Sequence, residues 1–354
     1  MKILITGGAG FVGSSLARLF KAHMPESRIV VFDNLKRRGS ELNLALFRKE
    51  GIEFVHGDIR CQADFTALDS SFDLFIEASA EPSVHAGTGG DCNYLFDTNL
   101  RGTFHCLEFA RKHCEAMVFI STSRVYSIPD LLSVPLVEEK SRLTIAGQEH
   151  LPVGLSSLGI SEKFNVSRYR SLYGATKLAS ELLIQEYSHS FKLKALINRC
   201  GVISGPGQWG KTDQGVFSLW VANHFFGRKL KFTGFGGEGK QVRDLLHPYD
   251  LFTLINKQAA VVAKHSGEVY NVGGGLGNSV SLCEYTDICR EVTGRTMDIA
   301  SVAETSSVDI PYYVSDNSLV QSVFGWQPEK CVSDIVTDIH DWLRRNSSQL
   351  EEIL

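Results

Sequence analysis

Short apolar runs alternate with stretches of helical periodicity along the first part of the chain. Residues 2–6 form an apolar run bounded by glycines, which predicts a buried strand, and apolar side chains recur at helical spacing over residues 11–20. The same patterns predict further strands at residues 28–32, 52–55, 72–78, 116–121 and 193–198, and long helices at residues 94–113 and 171–191. Strands that alternate with helices in this way predict an α/β fold with a doubly wound parallel sheet.

The pattern changes after residue 126. Residues 127–170 carry recurrent proline, glycine and serine without clear periodicity, and such a long irregular segment is more often a functional excursion than a linker. A glycine-rich loop follows at residues 200–211, and aromatic residues recur at helical spacing over 216–226. We predict a first domain over 1–199 plus about 241–267, and a smaller C-terminal lobe over 200–240 and 268–354.

Three glycines separate the first strand from the first helix. Gly7, Gly10 and Gly13 have the spacing of a phosphate cradle, in which they permit a tight turn, close approach of a pyrophosphate and close helix–strand packing. Asp33 ends the second strand about twenty residues further on, where a carboxylate accepts hydrogen bonds from both ribose hydroxyls and repels a 2′-phosphate. These features predict NAD as the cofactor. Arg37 and Arg38 leave NADP as an alternative cofactor. A second alternative is a glycine turn that binds no nucleotide.

Composition narrows the class of protein. The chain has 354 residues, a net charge of −4 and eight scattered cysteines without a C-x-x-C pair, so we expect no nucleic-acid partner and no metal site. The sequence begins directly with a predicted strand, and no apolar run reaches the roughly 18 residues that a membrane span needs. We therefore expect a cytoplasmic protein that does not bind membranes.

Tyr173 and Lys177 lie four residues apart on a predicted helix, so their side chains point the same way. A phenol has an unperturbed pKa near ~10, and a nearby ammonium together with a nicotinamide cation favours the phenolate, which is a general base. Ser121, Thr122 and Ser123 at the end of the fifth strand place hydroxyls at the same edge of the sheet. The alternatives are a solvent-exposed Tyr and Lys, and a hydroxyl that only satisfies strand-end backbone groups.

These features together resemble the extended short-chain dehydrogenase/reductase superfamily, which includes nucleotide-sugar epimerases and dehydratases. The resemblance rests on the glycine motif, Asp33, Asp58-Ile59, the Ser-Thr pair of strand five and Tyr173/Lys177, and it covers nearly the whole chain. It implies a Rossmann-type sheet with a smaller C-terminal substrate-binding lobe, and a catalytic set of Thr122, Tyr173 and Lys177. The cofactor-binding residues that it implies are Gly7, Gly10, Phe11, Val12, Gly13, Asp33, Asn34, Asp58, Ile59, Ala78, Asn99, Ser121, Tyr173 and Lys177.

Several stretches are similar to the CDP-tyvelose (CDP-paratose) 2-epimerase branch of that superfamily. They begin near residues 32, 54, 212, 239 and 271, and the long segment between Tyr126 and Tyr173 also resembles this branch. The branch implies inversion of C2 of a CDP-hexose through a transient keto-sugar and internal hydride return, a role in polysaccharide biosynthesis, and a homodimer or dimer of dimers. The implied substrate contacts are Thr122, Ser123, Gln208, Asp213, Gln214 and Arg243. Arg243 would meet the diphosphate, and its alternative is a salt bridge with Asp244.

The chain departs from its relatives at several positions. Ser123-Arg124 stands where 4,6-dehydratases carry Asp-Glu, and decarboxylating relatives have a glutamate at the position of Arg124. Glu77 begins a stretch that reads H-x-A-A in many relatives, and a second diphosphate arginine is absent from Asp309-Ile310-Pro311. The remaining alternatives are a nucleotide-sugar 4-epimerase, an NAD(P)H-dependent nucleotide-sugar reductase and a non-catalytic dinucleotide-sensing protein.

Overall fold

The structure, a computed structural model, describes residues 1–68, 71–147, 151–208 and 215–350. Its strands are β1 (Lys2–Thr6), β2 (Arg28–Asp33), β3 (Glu53–His56), β4 (Leu74–Glu77), β5 (Met117–Thr122), β6 (Leu136–Glu138), β7 (Leu143–Ile145), β8 (Leu155–Ser156), β9 (Gly159–Ile160), β10 (Ala195–Cys200), β11 (Val202–Ile203), β12 (Leu230–Thr233), β13 (Val242–Leu246), β14 (Val269–Val272), β15 (Ser279–Ser281), β16 (Ile299–Val302) and β17 (Tyr312–Tyr313). Its α-helices are α1 (Phe11–His23), α2 (Asn43–Glu50), α3 (Asn93–Phe96), α4 (Thr103–His113), α5 (Ile128–Leu132), α6 (Leu172–Phe191), α7 (Val216–Phe226), α8 (Pro248–Ala259), α9 (Leu282–Thr293), α10 (Ser318–Phe324) and α11 (Val332–Leu350). Within these ranges, no helix is both long enough and apolar enough to cross a membrane.

A seven-stranded sheet forms the scaffold, with strand order β14-β10-β5-β4-β1-β2-β3. The pairs β1–β2, β1–β4, β2–β3 and β4–β5 are parallel. β1, β4 and β5 are apolar and buried along almost their whole length, as expected of central strands that helices cover on both faces. The predicted doubly wound α/β fold of Rossmann type is confirmed.

Two compact units divide the chain. The first contains Met1–Val125, Leu172–Arg199 and Leu251–Tyr270. On one face of its sheet, Phe75 of β4 and Phe119 of β5 share a buried core with Leu107 of α4 and Ile184 of α6. Burial of these large apolar side chains holds α4 and α6 against the strands that carry the candidate site.

The second unit contains Tyr126–Ser171, Cys200–Asp250 and Asn271–Leu354. It has its own sheet of order β11-β13-β15, with β17 also paired to β13. α7, α9 and α11 pack together over one face of that sheet, and their buried side chains include Trp220, Tyr285 and Ile339. The predicted helix over 216–226 and its aromatic core are present as expected from their spacing.

The observed units differ from the predicted boundaries at residues 126–171. This segment contains α5 and the hairpins β6–β7 and β8–β9, and it clusters with the second unit. The hairpin β6–β7 packs apolar side chains, including Leu143, against Val242 and Tyr312 of the second sheet. Residues 241–250 also belong to the second unit because β13 is the centre of its sheet. The second unit is therefore as large as the first, and its binding role stays a prediction.

The helix predicted over residues 94–113 has an irregular middle. α3 runs into a π-helical segment, Asp97–Gly102, before α4 begins. Such segments are rare and are frequently found at functional sites. Here the segment carries Asn99, one of the predicted site residues.

Candidate functional site

The turn between β1 and α1 accepts only glycine at two of the three motif positions. Gly7 has a φ of +62°, and a Cβ atom there would lie 2.7 Å from the Cα of Ser79. A Cβ on Gly13 would lie 2.3 Å from the Gly7 carbonyl oxygen, so helix and turn approach more closely than any side chain permits. The Gly10 N–H donates to that same carbonyl at 3.1 Å and closes the turn.

The first turn of α1 presents N–H groups that no helical carbonyl can accept. The first helical hydrogen bond is donated by the Ser14 N–H to the Gly10 carbonyl at 2.9 Å. The N–H groups of Phe11, Val12 and Gly13 precede it at the positive end of the helix dipole. A tight glycine turn with these donors fits a pyrophosphate, the group that the sequence predicts at this position.

Asp33 connects the end of β2 to the glycine turn. Its Oδ2 accepts from the Ala9 N–H at 3.1 Å, and its Oδ1 accepts from the Leu35 N–H at 2.7 Å. Leu35 has a φ of +55°, a conformation that L residues other than glycine rarely adopt. Burial raises the pKa of Asp33, while these backbone donors oppose the shift. The loop thus fixes a carboxylate beside the phosphate cradle, as binding of a ribose diol requires.

Asn34, Asp58 and Ile59 form a second group near the ends of β2 and β3. The Asn34 amide donates to Asp58 at 2.9 Å, and Arg60 pairs with the same carboxylate at 2.6 Å. Partial burial acts to raise the pKa of Asp58, but the hydrogen bonds from Arg60 and Asn34 outweigh it and lower the pKa to about 2. The Ile59 side chain is buried, and its carbonyl oxygen contacts His105 Nδ1 at 2.8 Å.

The three predicted catalytic residues lie on two elements that pack together. β5 ends at Thr122, and α6 packs against β5 and the 3-10 turn Ser123–Val125 that follows it. Tyr173 and Lys177 are one turn apart on α6, and they are only 9% and 2% exposed. The alternative of a solvent-exposed Tyr and Lys is therefore wrong. The Lys177 ammonium lies 3.8 Å from the centre of the Phe119 ring, a cation–π contact.

Asn99 ties the π-helical segment to the catalytic helix. Its side chain accepts from the Glu81 N–H at 2.8 Å and donates to the Glu81 carbonyl at 3.1 Å. It also donates to the Thr176 hydroxyl at 3.3 Å, and Ser180 donates to the Asn99 carbonyl at 2.8 Å. Thr176 and Ser180 flank Lys177 on α6, so Asn99 fixes the position of this helix.

Ser121 and Ala78, two further predicted cofactor contacts, lie at the ends of β5 and β4. The Ser121 hydroxyl donates to Glu181 at 2.5 Å, and Arg199 pairs with Glu181 at 2.7 Å in a buried environment. The Ala78 N–H donates to the Thr6 carbonyl at 3.2 Å. The sequence analysis missed Glu181 and Arg199, although Glu181 follows Lys177 by one helical turn and shares its face.

The second unit contains the other predicted substrate contacts. The Gln208 amide accepts from Ser218 at 2.5 Å and donates to the Ile203 carbonyl at 3.1 Å, so it braces the end of its loop. Asp213 and Gln214 lie outside the described residues.

Arg243 is buried and ion-paired. It contacts Asp309 at 3.1 Å and donates to the Ile310 carbonyl at 2.6 Å. The alternative partner, Asp244, instead accepts from the Gly275 and Ser315 N–H groups. The sequence-based alternative of an Arg243–Asp244 bridge is wrong because adjacent strand residues point to opposite faces of the sheet.

The profile of the NAD dependent epimerase/dehydratase family matches residues 3–273 of the chain. This match spans the first unit and much of the second. The family's description names the predicted cofactor, NAD, and the predicted enzyme class.

Individual relatives match over almost their whole length. A CDP-paratose 2-epimerase of Salmonella typhi is 30% identical over 352 residues, which cover 97% of this chain and 99% of the relative. A dTDP-glucose 4,6-dehydratase of Streptomyces niveus is 27% identical, with 100% and 96% covered. The structure of a dTDP-glucose 4,6-dehydratase double mutant from Streptomyces venezuelae, with NAD bound, is 26% identical, covers 100% of both chains and has a TM-score of 0.78. The resemblance stated from the sequence is confirmed.

Proposed function

Because this chain belongs to the NAD dependent epimerase/dehydratase family, we propose that it is a nucleotide-sugar epimerase that inverts C2 of a CDP-hexose. The observation that carries the proposal is the buried pair of Tyr173 and Lys177 on a helix packed against the strand that ends at Thr122. The similarity to a CDP-paratose 2-epimerase over nearly all of both chains supports the substrate class and the carbon.

The first unit would hold NAD. When bound, NAD supplies a reversible hydride acceptor for the sugar carbon. The glycine turn and the N–H groups at the start of α1 would bind the pyrophosphate, and Asp33 would accept hydrogen bonds from the adenosine ribose. Lys177 would hold the nicotinamide ribose by donation from its ammonium. The reaction would consume no NAD, because the hydride that leaves the sugar carbon is returned to the same carbon.

Tyr173 would act as the general base. Its hydroxyl, ionised with the help of the Lys177 charge, would take the proton from the sugar hydroxyl as the carbon is oxidised. The Thr122 hydroxyl would donate a hydrogen bond to the same oxygen as it becomes a carbonyl. The keto-sugar would then rotate in the site and present its other face, and Tyr173 would return the proton when the carbon is reduced on that face.

The residues after Thr122 favour epimerisation over elimination of water. A 4,6-dehydratase needs an acid and a base for the departing hydroxyl and the α-proton. Ser123 and Arg124 occupy that place in this chain, and neither is a carboxylic acid. The Arg124 N–H instead donates to the Thr122 hydroxyl oxygen at 3.2 Å, which orients this hydroxyl.

In the second unit, Arg243 would bind the diphosphate, because a guanidinium fork can pair two phosphate oxygens. It contacts Asp309 in the structure, so the diphosphate would replace this carboxylate as the partner. Ser123, Gln208, Asp213 and Gln214 are the remaining proposed sugar contacts.

The test of this function is the replacement Tyr173→Phe, which removes only the hydroxyl. Loss of a general base lowers kcat by about 100-fold or more, and we expect that loss with NAD content unchanged. Tyr169→Phe is the matched control, because Tyr169 is 65% exposed and has no proposed role. Turnover of the Tyr173→Phe variant at the wild-type rate would refute the assigned mechanism.

A further inference from the structure

Glu77 is a buried carboxylic acid that the proposed reaction does not use. It is the last residue of β4 and is 0% exposed. Its register partners are Thr6 on β1 and Phe119 on β5, so these three side chains lie side by side on one face of the sheet. This is the face against which α4 and α6 pack.

The Lys177 ammonium lies on the same face of the sheet as Glu77. It lies over the ring of Phe119, the strand neighbour of Glu77, and its charge acts on the Glu77 carboxyl. The other groups around Glu77 are Cys106 from α4 and the Thr6 hydroxyl from β1. Lys177 is therefore the cation that faces Glu77 from the elements packed around it within the described ranges.

The Glu77 carboxylate is poorly satisfied by the protein. Neither of its oxygens makes a hydrogen bond of good geometry within the described part of the chain, although the Ser79 N–H and the Lys177 charge both favour its ionised form. A buried carboxylate without such bonds is costly, and most buried acids avoid this cost by pairing. Burial raises the pKa of Glu77 to about 7, against the effect of Lys177. The acid therefore changes charge in the neutral range.

We propose that Glu77 is a positioning residue for the Tyr173–Lys177 pair. Its negative charge acts on the Lys177 ammonium across the sheet face and offsets part of the positive charge that would otherwise favour ionisation of the Tyr173 hydroxyl. Glu77 thus sets the base strength of the catalytic helix without touching sugar or cofactor. This inference rests on the proposed function, because Tyr173 is the base in that reaction.

The direction of the effect follows from charge. An ionised Glu77 weakens the field of Lys177 at Tyr173 and so raises the pH at which the phenolate forms. Removal of the Glu77 charge leaves the Lys177 field uncompensated, and the phenolate then forms at lower pH. For a single charge at these separations in a protein, we expect a shift of about one pH unit.

The test measures Tyr173 ionisation directly and needs no sugar. Tyrosinate absorbance is followed against pH in the full-length protein, and the curve of the Tyr173→Phe variant is subtracted to isolate Tyr173. The same subtraction is made in the Glu77→Gln background. We expect the midpoint to fall by about one pH unit in Glu77→Gln. An unchanged midpoint would overturn the proposal.

Two further variants separate charge from structure. Glu77→Asp keeps the charge and should restore the wild-type midpoint, whereas Glu77→Met removes it at similar volume and should reproduce the Glu77→Gln shift. Glu77→Met also serves if Glu77→Gln fails to fold. Glu108→Gln is the control, because Glu108 lies on α4 but pairs with Arg111 and Tyr187 instead. A midpoint shift that Glu77→Asp shares with Glu77→Gln would mean a packing role and reject the proposal.

The test of Glu77 can succeed or fail independently of the proposed epimerase activity. A protein that fails to epimerise any sugar can still show the midpoint shift, which would uphold the link between Glu77 and Tyr173. An active epimerase whose midpoint does not move would refute the role of Glu77 alone. For the active enzyme, the acidic limb of kcat should move to lower pH in Glu77→Gln, in step with the absorbance midpoint.

Discussion

The buried acids of the first unit differ because their neighbours differ. Glu181 is held by a bidentate Arg199 and by the Ser121 hydroxyl, so its charge is balanced where it lies. Glu77 has no such partner in hydrogen-bonding geometry among the residues described, and its pKa is raised to about 7. Glu181 lies on the catalytic helix and Glu77 on a strand of the sheet, and the raised pKa of Glu77 makes the stability of the unit depend on pH near neutrality.

Glu77 should lower the stability of the folded protein as the pH rises. Its pKa is raised from 4.5 in the unfolded chain to about 7 in the folded one, so the stabilisation that the protonated acid gives is fully present below pH 4.5 and is lost as the pH rises through about 7. The free energy of unfolding should therefore fall by about 3 kcal/mol across this range relative to Glu77→Gln. Urea denaturation of both proteins at several pH values checks this. Parallel pH dependences would contradict it.

Residues whose role depends on local spacing could be predicted from the sequence. Gly7, Gly13 and Asp33 lie in one strand–turn–helix unit, and Tyr173 and Lys177 share one helix. The Arg243–Asp309 and Lys177–Glu77 relations join residues far apart in the chain. Neither pairing has a periodic signal, because each depends on which strands and helices become neighbours in the fold. For that reason the sequence offered only Asp244 as an alternative partner of Arg243, and the structure shows Asp309.

At the scale of elements, long periodic segments were predicted well and irregular ones were not. The strands and helices that the sequence predicts in the first unit lie within a few residues of their predicted bounds, whereas α2 (Asn43–Glu50) was not predicted. The π-helical segment Asp97–Gly102 could not be predicted from local spacing. Its Asn99 side chain forms hydrogen bonds with Glu81 and Thr176, which lie on other segments of the chain. The hairpins of residues 126–171 have strands of two or three residues, too short to show a period. Backbone hydrogen bonds to distant residues, from Leu143 to Lys240 and from Ile160 to Val314, hold them in place.

The junction of the glycine turn and α1 should be intolerant of any side chain. Gly13→Ala places a Cβ 2.3 Å from the Gly7 carbonyl oxygen, so the turn must open. Overpacking of this kind costs about 1–3 kcal/mol, and we expect the Kd for NAD to rise about tenfold or more. Calorimetric titration of NAD-free protein measures this. Gly89→Ala is the control, because a Cβ there meets no atom within 4 Å, and equal affinities of the two variants would oppose the assigned cradle.

At the scale of the whole molecule, α4 and α6 carry apolar side chains that the chain itself does not cover. Phe104 on α4 and Leu182 and Phe191 on α6 are exposed, and the two helices pack side by side. Exposed apolar patches of this kind mark sites of association. They support the expectation of a homodimer or dimer of dimers that the family resemblance implies, and we expect α4 and α6 to form its interface.

Leu182→Glu should convert that dimer to a monomer. Leu182 is 57% exposed on α6, and a carboxylate placed in an apolar interface loses its hydration without a partner. Light scattering coupled to size exclusion should give twice the chain mass for the wild type and one chain mass for the variant. Val153→Glu is the control, since Val153 is 80% exposed in the second unit, and it should stay dimeric. A monomeric wild type would disprove the expected association.

In the proposed reaction, the enzyme inverts a sugar carbon by oxidation and reduction on one bound cofactor. The most direct measurement is anaerobic incubation of the purified protein, without added cofactor, with CDP-, UDP-, GDP- and dTDP-hexoses in D₂O, followed by NMR. We predict a new C2 epimer of a CDP-hexose with no deuterium at the inverted carbon. Deuterium at that carbon, or no reaction until NAD(P)H is supplied, would contradict this mechanism.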